Sequence, residues 1–329
     1  MSKRPSSPAA EEILGRYFPV LDHGFVALVD YMGTDACIER AARVSYGYGT
    51  RATSKTRGLL RYLRRHLHTT PSEMVELKFH CCMPIFVARQ WIRHRTASVN
   101  EYSGRYSLLP MLFYTPQLEQ LQKQSRNNNQ GRSGELLAAD TYHQVVEDWN
   151  RGREQARQQY ESLTNQDIAR ELARIDLPLS AYTQWYWKID LHNLLHFLRL
   201  RVDSHAQWEI QEYGRIMAGL MRRVVPVSYE AWIDYDVCGA KLSRMELDAL
   251  RSLLEVRADG SVGVRPSASL TPEGLSAMGL SNREAAEFTS KLRSSIVPDY
   301  QVDLSASLDG EVFEQRFAAA VPSSDQTRS

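Results

Sequence analysis

Residues 90–106 read Gln90-Trp91-Ile92-Arg93-His94-Arg95-Thr96-Ala97-Ser98-Val99-Asn100-Glu101-Tyr102-Ser103-Gly104-Arg105-Tyr106, the densest polar stretch in the chain. Upstream, Val75 to Met83 alternates in part and suits a strand, and Pro84 opens a helix predicted over Ile85 to about Arg93. Downstream, Tyr102 to Leu109 is predicted to be extended. If residues 101–105 are extended, Glu101, Ser103 and Arg105 share one face, because side chains alternate along a strand. That face carries an acceptor, a hydroxyl and a guanidinium, and Arg93 and Arg95 add two permanent charges. Paired guanidinium donors suit phosphate, and Gly104 lets backbone or ligand come close. A small phosphorylated ligand is the reading. Glu101 is the only acid in the stretch, so a self-neutralised surface cluster fits poorly.

Outward from this stretch the chain reads as a mixed α+β protein. Gly24 to Gly33 is a predicted strand bounded by glycines, and Asp35 to Val44 a short helix. Residues 51–65 carry Arg51, Lys55, Arg57, Arg61, Arg64 and Arg65 with no acid, which is either a solvated helix face or a landing surface for an anion. Thr70-Pro71-Ser72-Glu73 reads as a capping box. Residues 124–134 form a polar loop, and 136–163 and 165–176 read as helices. Leu191, Leu194, Leu195, Leu198, Val202, Ile210, Tyr213, Met217, Leu220 and Met221 make one helical stripe over Leu191 to Val224. Long helices with few separated strands point to α+β rather than regular βαβ units. Residues 1–12 read as a mobile tail and 13–240 as the main domain. Residues 241–329 read as a helical extension with helix starts at Ser243, Thr271 and Ser281, and the last seven residues as frayed.

Composition removes several classes. The 329 residues hold 40 Lys and Arg against 39 Asp and Glu, a formal net charge of +1. A whole-protein attraction to nucleic acid or membrane is not expected. An RNA- or DNA-binding protein using Arg93, Arg95, Arg105 and the 51–65 run is the alternative reading, and it predicts salt-dependent binding. The four cysteines, Cys37, Cys81, Cys82 and Cys238, imply no disulfide scaffold and no CxxC metal pattern. No signal peptide and no bilayer-spanning run is read, so a reducing cytoplasm is the expected compartment.

A second polar segment runs from Arg199 to Glu209. On a helix Arg199 and Asp203 are spaced for an ordinary ion pair, whereas Arg201 has no acid three or four positions away and is the freer guanidinium. His192 and His196 have H-x3-H spacing, so a metal hydrolase is weighed. Asn193 stands where a zinc protease motif has Glu, and no metal site is expected. Nucleotide glycine motifs and a G-x-S-x-G elbow are absent from the sequence.

Arg93-His94-Arg95, seven residues, then Ser103 resembles the signature of the flavin-dependent thymidylate synthases. Three further segments resemble the family in the same order: His68 to Glu73, Ala173 to Pro178 and Leu200 to Ile210, so the likeness covers about residues 20–235. The resemblance implies that family's fold, a small antiparallel sheet with long helices. It implies methylation of deoxyuridylate (dUMP) to thymidylate (dTMP). Methylenetetrahydrofolate would donate the carbon, and FAD would carry hydride from NADPH without an enzyme cysteine nucleophile. It also implies a homotetramer with active sites built from several subunits. By position Arg201 corresponds to the activating arginine. Gln90, Arg93, Glu101, Ser103, Gly104, Arg105, Arg174 and Arg201 would hold the nucleotide. Thr70, Glu73, Arg93, His94, Arg95, Asn100, Glu101, Asp190, His192 and His196 would face FAD. Asp190 and His196 stand where some members carry Asn, and the 124–134 loop and the segment after 240 look longer than the family minimum.

Overall fold

A computed structural model describes residues 4–45, 56–126, 131–266, 268–293 and 296–322. The elements run α1 (Pro8–Glu11), β1 (Tyr17–Val20), β2 (Gly24–Met32), α2 (Asp35–Arg43), α3 (Thr56–Arg65), α4 (Thr70–Glu73), β3 (Glu76–Pro84), α5 (Ile85–Trp91) and β4 (Ser98–Glu101). There follow β5 (Gln122–Gln124), β6 (Arg132–Leu136), α6 (Ala139–Asn165), α7 (Arg170–Ala173), β7 (Tyr182–Asp190), α8 (Leu191–Arg201), α9 (Trp208–Val224) and α10 (Pro226–Trp232). The last are α11 (Arg244–Leu253), β8 (Leu254–Val256), β9 (Val262–Val264), α12 (Pro272–Ala277), α13 (Asn282–Lys291) and α14 (Gly310–Ala319). Two compact units result: Met1–Ala231 with Tyr300–Ser329, and Trp232–Asp299.

The first unit is built on a five-stranded sheet of order β1-β2-β3-β7-β4, antiparallel throughout. This is the expected small antiparallel sheet with helices. Cys81 and Cys82 lie wholly buried on β3, as small core residues should. Trp91 closes α5 inside an aromatic cluster. It meets Trp185 and Trp187 of β7 edge-on at 5.6 and 5.4 Å, Phe197 of α8 at 5.1 Å and Tyr213 of α9 at 5.9 Å. Tyr213 donates its hydroxyl to the Cys82 carbonyl at 2.8 Å. A Cβ on Gly24 would lie 2.1 Å from that hydroxyl, so only glycine lets β2 pass there.

Several boundaries differ from the reading of the sequence, each for a local reason. The single helix expected over Leu191 to Val224 is two, because Asp203 accepts from the His205 amide at 2.8 Å and turns the chain after Arg201. Gly214 then lets α9 fold back, since a Cβ there would meet Val202 and Arg201 at 3.2 and 3.4 Å. The helix expected over 165–176 shrinks to α7, with Asp167 at φ 58° breaking the run. The 124–134 loop carries the ends of a hairpin, β5–β6, and its residues 127–130 lie outside the described residues. The N-terminal segment is docked rather than loose: Ala10 is buried and Ser7 Oγ donates to the Arg223 carbonyl at 2.7 Å. Residues 300–322 rejoin the first unit instead of the extension. Tyr17 and Leu308 exchange both main-chain hydrogen bonds, and Phe313 and Phe317 enter the core around Phe25 and Tyr182. The frayed end expected at 323–329 lies outside the described residues.

The second unit has its own small core of Ala249, Leu275, Leu280, Ala285 and Phe288. Ser243 and Ser281 form full capping boxes with Glu246 and Glu284, and Thr271 caps α12, as their spacing indicated. The extension is not purely helical, because β8 and β9 pair as a hairpin. Among the described residues no helix is long and apolar enough to cross a membrane.

Trp91→Ala is expected to lower stability by about 3–5 kcal/mol, because four aromatic neighbours cannot close the cavity it leaves. Urea unfolding followed by circular dichroism measures it, and a midpoint equal to the parent's would show the cluster to be dispensable.

Candidate active site

Strand β4 lies at the sheet edge and pairs Asn100 with Tyr186 and Glu101 with Trp185 of β7. All four of its residues are exposed. Glu101 accepts from Thr183 Oγ1 at 2.8 Å. The extended run expected beyond it ends at Tyr102. Ser103 accepts the Arg105 amide on its own hydroxyl oxygen at 3.3 Å, and its carbonyl accepts from Tyr106 and Ser107 at 3.1 and 3.2 Å. A serine that satisfies backbone donors two residues on favours a turn over a strand. Glu101, Ser103 and Arg105 therefore do not share a strand face.

The turn has a second consequence. Gly104 is buried, and a Cβ there would lie 3.0 Å from Leu109 and 3.2 Å from Arg174 Nη1. Glycine thus admits the Arg174 guanidinium. Arg105 pairs with Glu171 on α7 at 3.1 Å, and Arg170 donates to the Tyr106 carbonyl. Ser103, Gly104, Arg105 and Arg174 form one set.

The other set gathers on α5 and α8. Arg201 ends α8, and its Nη2 donates to the Gln90 carbonyl at 3.0 Å. Its guanidinium lies 5.6 Å from the Phe197 ring centroid, and its Nε is buried with no partner. Burial pushes the Arg201 pKa down. Gln90 also donates to Gln207. Among the described residues Arg201 makes no ion pair, as the spacing of acids indicated. The ion pair expected between Arg199 and Asp203 does not form, because α8 stops first and Asp203 accepts from His205.

His94 sits 5.8 Å from His196, ring to ring, and its Nε2 is buried without a partner. Burial, then the charges of His196 and Arg201, pull the His94 pKa below the ordinary value. Burial, then Arg199 and His192, do the same to His196. His192 Nδ1 is buried and unpartnered too. Asp190 caps α8, accepting from the Asn193 amide at 3.0 Å and its side chain at 2.7 Å. Helix α4 packs on α8, and the Val75 carbonyl just beyond α4 accepts the Leu191 amide at 2.8 Å. The capping box expected at Thr70 is shifted: Thr69 is the cap residue, and its hydroxyl donates to Glu73 at 3.2 Å. The chain enters the turn one residue early, with Pro71 at the second helical position. Arg93, Arg95 and Asn100 are exposed.

Sequence reasoning passed over Gln207, Thr183 and Glu171 as members of the site. Gln207 stood within the Arg201 segment and was readable there, but nothing near Thr183 or Glu171 signalled a partner. The basic run is partly neutralised. Arg57 and Arg61 both pair with Glu230, while Arg51 and Lys55 lie outside the described residues. This weakens a continuous nucleic-acid surface. Among the described residues no three His, Cys, Asp or Glu side chains stand together as a metal set.

The class these features define is an α+β protein in which, among the described residues, the Arg201 guanidinium is left unpaired by acids near unpartnered histidine ring nitrogens. Residues 27–227 match the family described as thymidylate synthase complementing protein. The chain is 50% identical over 268 residues to the flavin-dependent thymidylate synthase of Wolbachia pipientis wMel, covering 80% of this chain and 94% of that one. It is 53% identical over 257 residues to the enzyme of the same name from Gluconobacter oxydans, covering 77% and 84%. A solved UMP/dUMP methylase, PolB from Streptomyces cacaoi bound with 5-Br dUMP, superposes with TM-score 0.61 at 34% identity, covering 67% of this chain and 99% of that one. The chain belongs to the thymidylate synthase complementing protein family, whose members include the flavin-dependent thymidylate synthases.

His94 and His196, together with His80 on β3, whose pKa burial also lowers, have a pH consequence. In the unfolded chain all three take up protons near pH 6.5. In the fold they resist, so stability is present above that pH and falls as pH drops through it. Denaturation midpoints are expected to decline between about pH 7.5 and about pH 5.5, and less so in His94→Asn. An identical slope in that variant would clear His94 of the effect.

Proposed function

We propose that this chain methylates dUMP at C5 to give dTMP, with methylenetetrahydrofolate as carbon donor and NADPH as reductant through bound FAD. The observation that carries this reading is Arg201: a half-buried guanidinium joined to a backbone carbonyl and to no acid. A buried cation without an anion points to a ligand that supplies one. Family membership and the dUMP-analogue complex of the PolB relative support the same substrate.

The reaction belongs to the first unit, within the stretch read as the main domain. Gln90, Arg93 and Arg201 from one set, and Glu101, Ser103, Gly104, Arg105 and Arg174 from the other, hold the nucleotide. Ser103 accepts the Arg105 amide, so its O–H remains able to donate to phosphate. Arg201 supplies fixed positive charge where the uracil gains negative charge as N3 loses its proton. The donor set suits FAD. Exposed Arg93 and Arg95 offer phosphate partners, His94 Nε2 and His192 Nδ1 are ring nitrogens without partners, and Thr70, Glu73, Asn100, Asp190 and His196 complete the wall. Bound FAD supplies the two-electron redox chemistry. The chain's part is to orient the pyrimidine and keep Arg201 desolvated. No cysteine nucleophile is needed, and burial holds the Cys81 and Cys82 thiols well above their ordinary pKa, which removes them as thiolates.

We take the two sets to complement each other between copies in a homotetramer. The compartment is taken to be the cytoplasm, in keeping with the low cysteine content.

Purified protein with FAD is expected to convert dUMP to dTMP when given methylenetetrahydrofolate and NADPH, read by chromatography. Colourless protein that binds no FAD and makes no dTMP would overturn the reading. Arg201→Ala is expected to cut turnover by about 100- to 1000-fold with unchanged circular dichroism, and parent-like rates would remove Arg201 from the mechanism. Ser103→Ala is expected to raise the dUMP dissociation constant about fivefold, equivalent to about 1 kcal/mol. Calorimetry showing no change would contradict that contact.

A further inference from the structure

A concavity in the first unit is lined by none of the residues assigned to the nucleotide, although Gln207, which accepts from Gln90, lies on its wall. It encloses about 680 Å³ between α6, the β5–β6 hairpin and the start of α9. That volume suits a small organic molecule rather than a few waters. The hairpin supplies Gln122 and Arg132 to the wall.

Glu209 lines it and is only 2% exposed. Its Oε1 accepts from Tyr114 at 3.1 Å and from Arg132, while its Oε2 is buried with no partner among the described residues. A buried carboxylate oxygen left unpaired is costly and calls for a donor. The local cations do not fill that need. Arg132 is held by Gln120 and Glu209. Arg153 donates to the Tyr114 carbonyl at 2.6 Å, Thr115 at 2.8 Å and Asn150 at 3.2 Å. The lining carboxylates are Asp148, which Arg151 already pairs, Asp176, which accepts from Gln159 at 3.1 Å, and Glu209, against these two engaged guanidiniums. An anionic occupant is disfavoured. Trp149, 39% exposed at the wall, carries the Arg153 guanidinium over its ring at 5.7 Å and offers the ring's remaining surface.

We propose that this cavity binds a flat aromatic molecule bearing a cationic or N–H-donating group, of the amino-heterocycle or aryl-amidine class, with the donor on Glu209 and the ring against Trp149. The residues assigned to the nucleotide do not line the cavity and its test reads binding alone, so it stands whether or not the reading of the reaction holds.

Titration calorimetry on the full chain tests it with benzamidine and with benzoate, a ring of like shape and opposite charge. Benzamidine is expected to bind with a dissociation constant of about 1 mM or tighter, and benzoate at least about tenfold more weakly. Glu209→Gln is expected to weaken benzamidine at least about tenfold. Because Glu209 is buried and that variant risks misfolding, the wall variant Trp149→Ala is read beside it, with an expected loss of at least about fivefold at an unchanged melting temperature. Equal binding of the two probes, no heat with benzamidine at about 10 mM, or parent-like binding in a folded Glu209→Gln or Trp149→Ala protein would overturn the proposal.

Discussion

The packing of one indole governs where the chemistry sits. Trp91 is wholly buried and touches β7, α8 and α9 at once through Trp185, Trp187, Phe197 and Tyr213. Core side chains in close contact have few alternative positions. Arg93, His94 and Arg95 follow within four residues, so a polar loop is rooted in the least movable part of the unit. The same contact fixes α8 against β7, and α8 delivers Arg201 at one end and takes its cap from Asp190 at the other.

Charge is distributed unevenly around that root. Most arginines elsewhere are engaged locally: Arg57 and Arg61 by Glu230, Arg132 by Glu209, Arg157 by Glu154 and Glu161, Arg223 by Glu12. Among the described residues Arg201 meets no acid, and His94 and His196 resist protonation first because they are buried and then because their neighbours are positive. A chain with a net charge of only +1 thus holds a local excess of positive charge around Arg201, where the proposed reading puts the nucleotide.

Much of the candidate site was legible because its residues lie in short runs. Arg93-His94-Arg95, Ser103-Gly104-Arg105 and Arg201 each stand out by type, and Arg201 by having no acid three or four positions away. The turn at Ser103 was not legible, since Ser-Gly-Arg-Tyr suits a strand or a turn equally until Gly104 is seen against Leu109 and Arg174. The break between α8 and α9 was hidden for a related reason. The apolar stripe keeps helical spacing across it, and only the Asp203–His205 contact shows where the chain bends. Thr183 and Glu171 carried no signal, because a lone Thr or Glu becomes a partner only through register and packing.

The sequence alone determined the α+β class, the two polar segments and the absence of a nearby acid for Arg201. These depend on residue type and on spacing within one element, which period and propensity report directly. Tertiary structure decided the rest: that residues 300–322 return to the first unit through Leu308, Phe313 and Phe317, that Arg174 meets Gly104, and that Glu209 closes a cavity with Arg132. Each of these joins residues dozens to hundreds of positions apart, and such pairings follow from which surfaces pack best in three dimensions rather than from any pattern along the chain.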